Sequence, residues 1–133
     1  MKVACVMKRW SAFRCIDSPE QMYNAVSMVL NEVKNQVQAD EAVDYEIKLV
    51  LSELVQNAVL HGKPPVKVSA TLCQGCVIFM VEDSGEGFNV PQVCDAFDIF
   101  GESGRGIRII SSLAQVLSFN ESANRAFVRL KIC

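Results

Sequence analysis

Apolar positions recur in two rhythms along this chain, and the rhythm changes where turn residues cluster. Met22, Val26, Val29, Val33 and Val37 stand three and four apart, the spacing that puts side chains on one helix face. Ser18-Pro19-Glu20-Gln21 precedes them. Ser18 suits the cap, Pro19 the first helical position and Gln21 the reciprocal place of a capping box. A helix is therefore expected from there to about Gln38. A second stripe, Val43, Ile47, Val50, Leu51, Leu54 and Ala58, predicts a helix that starts near a capping Asp40. It should end at His61-Gly62, where glycine can take the left-handed conformation that stops a helix. Lys63-Pro64-Pro65 forbids continuation.

The rhythm then shortens to two. Val66–Leu72 alternates, Gln74-Gly75 reads as a tight turn, and Cys76–Val81 is apolar throughout, which predicts a hairpin whose second strand is central. Shorter strand-like runs lie at Lys2–Met7, Ala12–Ile16, Phe119 and Ala126–Ile132. A third helix is expected from Ile107 to about Leu117. Residues 89–103 lack periodicity and read as a lid or loop. Helices and strands are segregated, so the expected fold is an α+β sandwich with helices on one sheet face.

Composition narrows the picture. The 133 residues fit one domain, 1–133, and with 50% hydrophobic content they can bury a core without staples. The net charge of −2 argues against nucleic acid. No apolar run reaches the ~18 residues of a membrane span, and the start lacks a signal-peptide layout, so a cytoplasmic protein is expected. In that compartment Cys5, Cys15, Cys73, Cys76, Cys94 and Cys133 stay reduced. Cys73 and Cys76 have metal-knuckle spacing, but a structural zinc site needs four ligands and the turn between them explains both positions.

Three segments carry candidate chemistry. In Glu53-Leu-Val-Gln-Asn57-Ala-Val-Leu-His61-Gly62, Glu53, Asn57 and His61 share a helix face. Asn57 offers a neutral oxygen to a hard cation such as Mg²⁺, and Glu53 can accept a proton from a hydroxyl; taken alone, such a face is more often that of an ordinary solvated helix. Asp83-Ser-Gly85-Glu-Gly87-Phe88 follows a buried strand. Its glycines permit close backbone approach to a ligand, and its Asp can accept from an exocyclic amine, although Asp and Gly also make plain turns. Gly101-Glu-Ser-Gly104-Arg105-Gly106 precedes a helix, where exposed amides and an arginine suit phosphate oxygens.

The joint order of these segments resembles the GHKL superfamily of ATPases and kinases, the Bergerat ATP-binding fold, over residues 18 to the C-terminus. Glu53–Gly62 is similar to its N box, Asp83–Phe88 to its G1 box and Gly104–Gly106 to its G2 box. The resemblance implies a two-layer α/β sandwich with a mixed, mostly antiparallel sheet. The bare domain and the Glu-x-x-x-Asn-x-x-x-His-Gly pattern resemble most closely the bacterial anti-sigma-factor serine/threonine kinases. That branch implies ATP and Mg²⁺ as cofactors, a small anti-sigma-antagonist protein as substrate, a sigma factor as a second partner, and a homodimer. It assigns the adenine amine to Asp83, the shape of the adenine pocket to Gly85 and Gly87, Mg²⁺ to Asn57, general base catalysis to Glu53, and the phosphates to Gly104, Arg105 and Gly106. One departure stands out: where the family often carries Gly-Thr near the last strand, this chain reads Asn124-Arg125-Ala126-Phe127. The missing threonine implies reduced adenine affinity or selectivity. It keeps open a nucleotide-gated partner-binding module with little or no turnover.

Overall fold

A computed structural model describes residues 10–37, 39–73, 75–85, 108, 110–120 and 124–132. Lys2–Met7, residues 89–103 and the sites proposed at Gly87, Gly104, Arg105 and Gly106 lie outside the described residues.

The elements are β1 (Trp10–Ile16), a 3₁₀ turn (Pro19–Gln21), α1 (Met22–Gln36), α2 (Glu41–His61), β2 (Val66–Cys73), β3 (Cys76–Glu82), β4 (Val116–Phe119) and β5 (Arg125–Lys131). The strands form one sheet in the order β1-β2-β3-β5-β4, and every described pair is antiparallel. β3 lies at the centre, as its continuous apolar run predicts. α1 packs on β1 and β2, and α2 on β2 and β3, which gives the expected two layers. Alternation selects the buried face: Val66, Val68, Ala70 and Leu72 of β2 point inward with Val77, Phe79 and Val81 of β3 and Val128 and Leu130 of β5. Across them lie Val26, Val29 and Val33 of α1 and Ile47, Val50, Leu51 and Leu54 of α2. Burial of each such Val, Leu, Ile or Phe side chain stabilises the fold by about 1.5–3 kcal/mol.

Four local expectations are corrected. Ser18 is extended at the cap position, but its side chain caps no helix amide; the Gln21 side chain instead accepts the Asp17 N–H at 2.8 Å, one residue earlier than a capping box requires. The first turn is 3₁₀, and α1 stops at Gln36, before Gln38. Gly62 does end α2, but at φ −104° and ψ −156°, an extended conformation; the reason for glycine is steric and is given below. The third helix is shorter than expected. Residues 110–113 are helical and Ala114 N–H still reaches Ile110 O, but Gln115 N–H goes to Arg129 O and Val116 and Leu117 pair with β5. A short apolar run fits helix and strand alike, and the available β5 edge decides between them.

Candidate functional site

The N-terminus of α2 is fixed by Asp40, whose side chain accepts the Val43 N–H at 2.9 Å. From that cap the helix runs without a break to His61, and it carries Glu53, Asn57 and His61 at successive turns. The three differ in environment. Glu53 is half-buried and His61 is exposed, whereas Asn57 is 8% exposed. Neither its Nδ2 nor its Oδ1 has a partner among the described residues. A buried carboxamide left in this state costs about 1–3 kcal/mol. An ordinary solvated face, the alternative that the sequence allowed, does not describe Asn57.

A groove of about 420 Å³ runs between α1 and α2, lined on α2 by Asp44, Ile47, Lys48, Ser52 and Gln56. At 100° per residue these positions occupy the flank of α2 opposite Glu53 and Asn57. The two candidate residues therefore face away from α1, toward the β5 side of the sheet.

Asp83 follows β3 directly and is 6% exposed. Its Oδ1 accepts Gly85 N–H at 2.7 Å and Lys63 N–H at 3.4 Å. Its own N–H donates to Asn124 O at 2.9 Å, and Ser84 N–H donates to Lys63 O at 2.8 Å. Ser84 Oγ adds a bond to Pro65 O at 2.8 Å. The 83–85 turn is thus stitched to the segment that leaves α2. This contact explains Gly62: a Cβ there would lie 2.5 Å from both Ala58 O and Asp83 Oδ2. Only glycine lets the helix end and the buried carboxylate meet, which brings Asp83 to the residues just beyond Asn57.

Asn120 and Asn124, the latter opening the stretch that stands where the family often carries Gly-Thr, extend the site through bonds that the sequence does not signal. Asn124 Nδ2 donates to Gly85 O at 3.2 Å, and its Oδ1 accepts from Asn120 Nδ2 at 2.7 Å. Two asparagines flanking a strand-to-strand connection signal a turn; nothing in the sequence signals a bond reaching 39 positions back. Ala126, near the expected Gly-Thr, is buried and pairs with Val81 and Phe119, so it places no hydroxyl on the inner face. At the opposite end of β3, Cys73 and Cys76 are register partners across the turn through Gly75, and both are free thiols. Among the described residues no group of three or more His, Cys, Asp or Glu could hold a metal ion.

The model of the histidine kinase-like ATPase domain matches residues 16–132. The chain belongs to that family. It is a histidine kinase-like ATPase domain within the GHKL superfamily, and an ATP-binding function follows at the level of the family. No curated protein matches the chain. Among solved structures, the Acinetobacter baumannii histidine kinase AdeS is similar at 18% identity and a TM-score of 0.47, with 91% of this chain and 66% of that one covered. No described helix is long and apolar enough to cross a membrane.

The residues present fit a Mg²⁺–nucleotide. Asn57 Oδ1 is a buried neutral oxygen with no partner among the described residues, a donor type that Mg²⁺ accepts alongside water and phosphate. Asp83 is a buried carboxylate anchored through Oδ1 by two backbone amides, an arrangement that can recognise an amine edge.

Proposed function

We propose that this ATPase-family domain is an ATP–Mg²⁺-dependent protein serine/threonine kinase of the anti-sigma-factor type. It phosphorylates a small anti-sigma-antagonist protein and sequesters a sigma factor. The observation that carries the reading is the pairing of a buried Asn57, without a partner among the described residues, with a half-buried Glu53 one helical turn away. Asn57 would hold Mg²⁺, and Asp83 would accept a hydrogen bond from the adenine amine. Gly85 and Gly87 would border the base, while Gly104, Arg105 and Gly106 would contact the phosphates. Bound Mg²⁺ supplies neutralisation of the phosphate charge. Glu53 takes the proton from the attacking serine or threonine hydroxyl as its oxygen bonds to the γ-phosphorus. The bond from that phosphorus to the bridging β-phosphate oxygen breaks, and ADP leaves. Little covalent chemistry falls to the protein, so positioning and charge carry the rate.

Incubation with [γ-³²P]ATP, Mg²⁺ and candidate antagonists tests the reading. The expected result is label on a serine or threonine of the antagonist, lost in Glu53→Gln with ATP still bound. Absence of transfer to every antagonist, with ATP bound, rejects the kinase. The second reading, a nucleotide-gated partner-binding module without turnover, draws on the lack of a hydroxyl at Ala126. In that case Glu53→Ala leaves partner binding and its nucleotide dependence intact. The homodimer is checked by sedimentation equilibrium, and the cytoplasmic location by fractionation.

A further inference from the structure

Asn124 grips both ends of the 83–85 turn. Its backbone carbonyl receives the Asp83 N–H at 2.9 Å, and its side-chain amide donates to Gly85 O at 3.2 Å. The orientation of that amide is fixed from outside the turn. Asn120 Oδ1 accepts the Arg125 N–H at 3.0 Å, and Asn120 N–H donates to Arg125 O at 3.1 Å. A backbone N–H can only donate, so Asn120 must present its oxygen to Arg125 and its NH₂ to Asn124 Oδ1. Gly85 O can only accept, so Asn124 must present its NH₂ there. Both ends of the chain of bonds demand the same sense, and each amide polarises the next. The relay ends on Gly85, whose N–H holds Asp83 Oδ1 at 2.7 Å.

We infer that Asn124, oriented by Asn120, is the positioning residue that fixes the Asp83 carboxylate for discrimination of an amino-purine nucleotide. The inference rests on the nucleotide-site reading of Asp83 given above. Asn124 does not touch the reacting atoms in this account. It acts by holding Gly85, and through Gly85 the rotation of the carboxylate. This gives the 124–127 segment a specificity role, although Ala126 carries no hydroxyl.

The experiment compares ATP–Mg²⁺ with inosine triphosphate–Mg²⁺, which lacks the 6-amino group, by calorimetric titration of the full chain. Failure of the wild-type chain to bind ATP would reject the site reading itself; ATP binding by wild type lets the variants test Asn124. Asn124→Asp keeps the size and the acceptor for Asn120 but removes the donor to Gly85 O. It should lower ATP affinity about tenfold, the scale of one hydrogen bond, with inosine triphosphate affinity unchanged and faster hydrogen exchange at the Gly85 amide. Asn120→Ala, which has no bond to the 83–85 turn, should lower the ATP preference about threefold. It also keeps the test alive if Asn124→Asp fails to fold. Equal weakening of both nucleotides in step with the thermal midpoint would reduce Asn124 to a structural role and overturn the inference, as would an unchanged ATP preference in Asn120→Ala.

Discussion

β3 ends in two turns of opposite kind. At the Cys76 end the chain reverses through Gly75 at φ 77°, Cys73 and Cys76 stay in register, and Gly75 O accepts the Ile132 N–H at 2.8 Å. That turn is satisfied by its own hairpin and the adjoining strand. At the Glu82 end the described turn residues are held from elsewhere in the chain. Asp83, Ser84 and Gly85 are held by Lys63, Pro65 and Asn124, contributed by the exit from α2 and the approach to β5. In α2 the buried Asn57 amide has no partner among the described residues. The first turn does what any chain reversal needs. The second gathers polar groups from three segments and bonds them to one another.

Four changes sharpen this contrast, in order of expected effect. Asn57→Leu removes the proposed cation ligand together with the orphaned amide. Titration should show nucleotide affinity down on the order of a thousandfold, about 4 kcal/mol, while urea unfolding of the unliganded chain shows a gain of about 1 kcal/mol. A stability loss with nucleotide affinity retained would mean that Asn57 serves the fold. Gly62→Ala drives a Cβ into Ala58 O and Asp83, and the urea midpoint should report a loss of about 3 kcal/mol along with weaker ATP binding. At the other end, Gly75→Ala strains the positive φ and should cost about 1–2 kcal/mol with ATP affinity unchanged. Glu82→Gln breaks the pair with Arg125, 2.9 Å apart and with side chains 30% and 47% exposed. It should shift stability by less than about 0.5 kcal/mol, and only at low salt. A larger loss there would mean that the ion pair helps to anchor the β3–β5 end of the site.

Much of the fold was legible because its signals are local. The Asp40 cap, the α1 and α2 stripes and the β2–β3 hairpin each follow from neighbours a few positions apart. Expectations failed where another group competed for a local one. The Gln21 side chain turned to the neighbouring Asp17 amide, and the distant β5 drew Val116 and Leu117 out of the helix. For the candidate site, residue types and spacing singled out Glu53, Asn57 and Asp83. The same letters could not distinguish a solvated Asn57 from a buried one, since an amide on a helix flank reads alike in both cases.

The sequence by itself determined the two helices, the central hairpin and the order of the polar motifs, because periodicity and turn chemistry act over one or two turns of chain. The tertiary structure alone decided that Gly62 must lack a side chain, that Asn57 is buried without a partner among the described residues, and that Asn124 reaches Gly85. Each of these depends on excluded volume or a hydrogen bond between segments far apart in the chain, and such contacts exist only once the sheet and helices have packed.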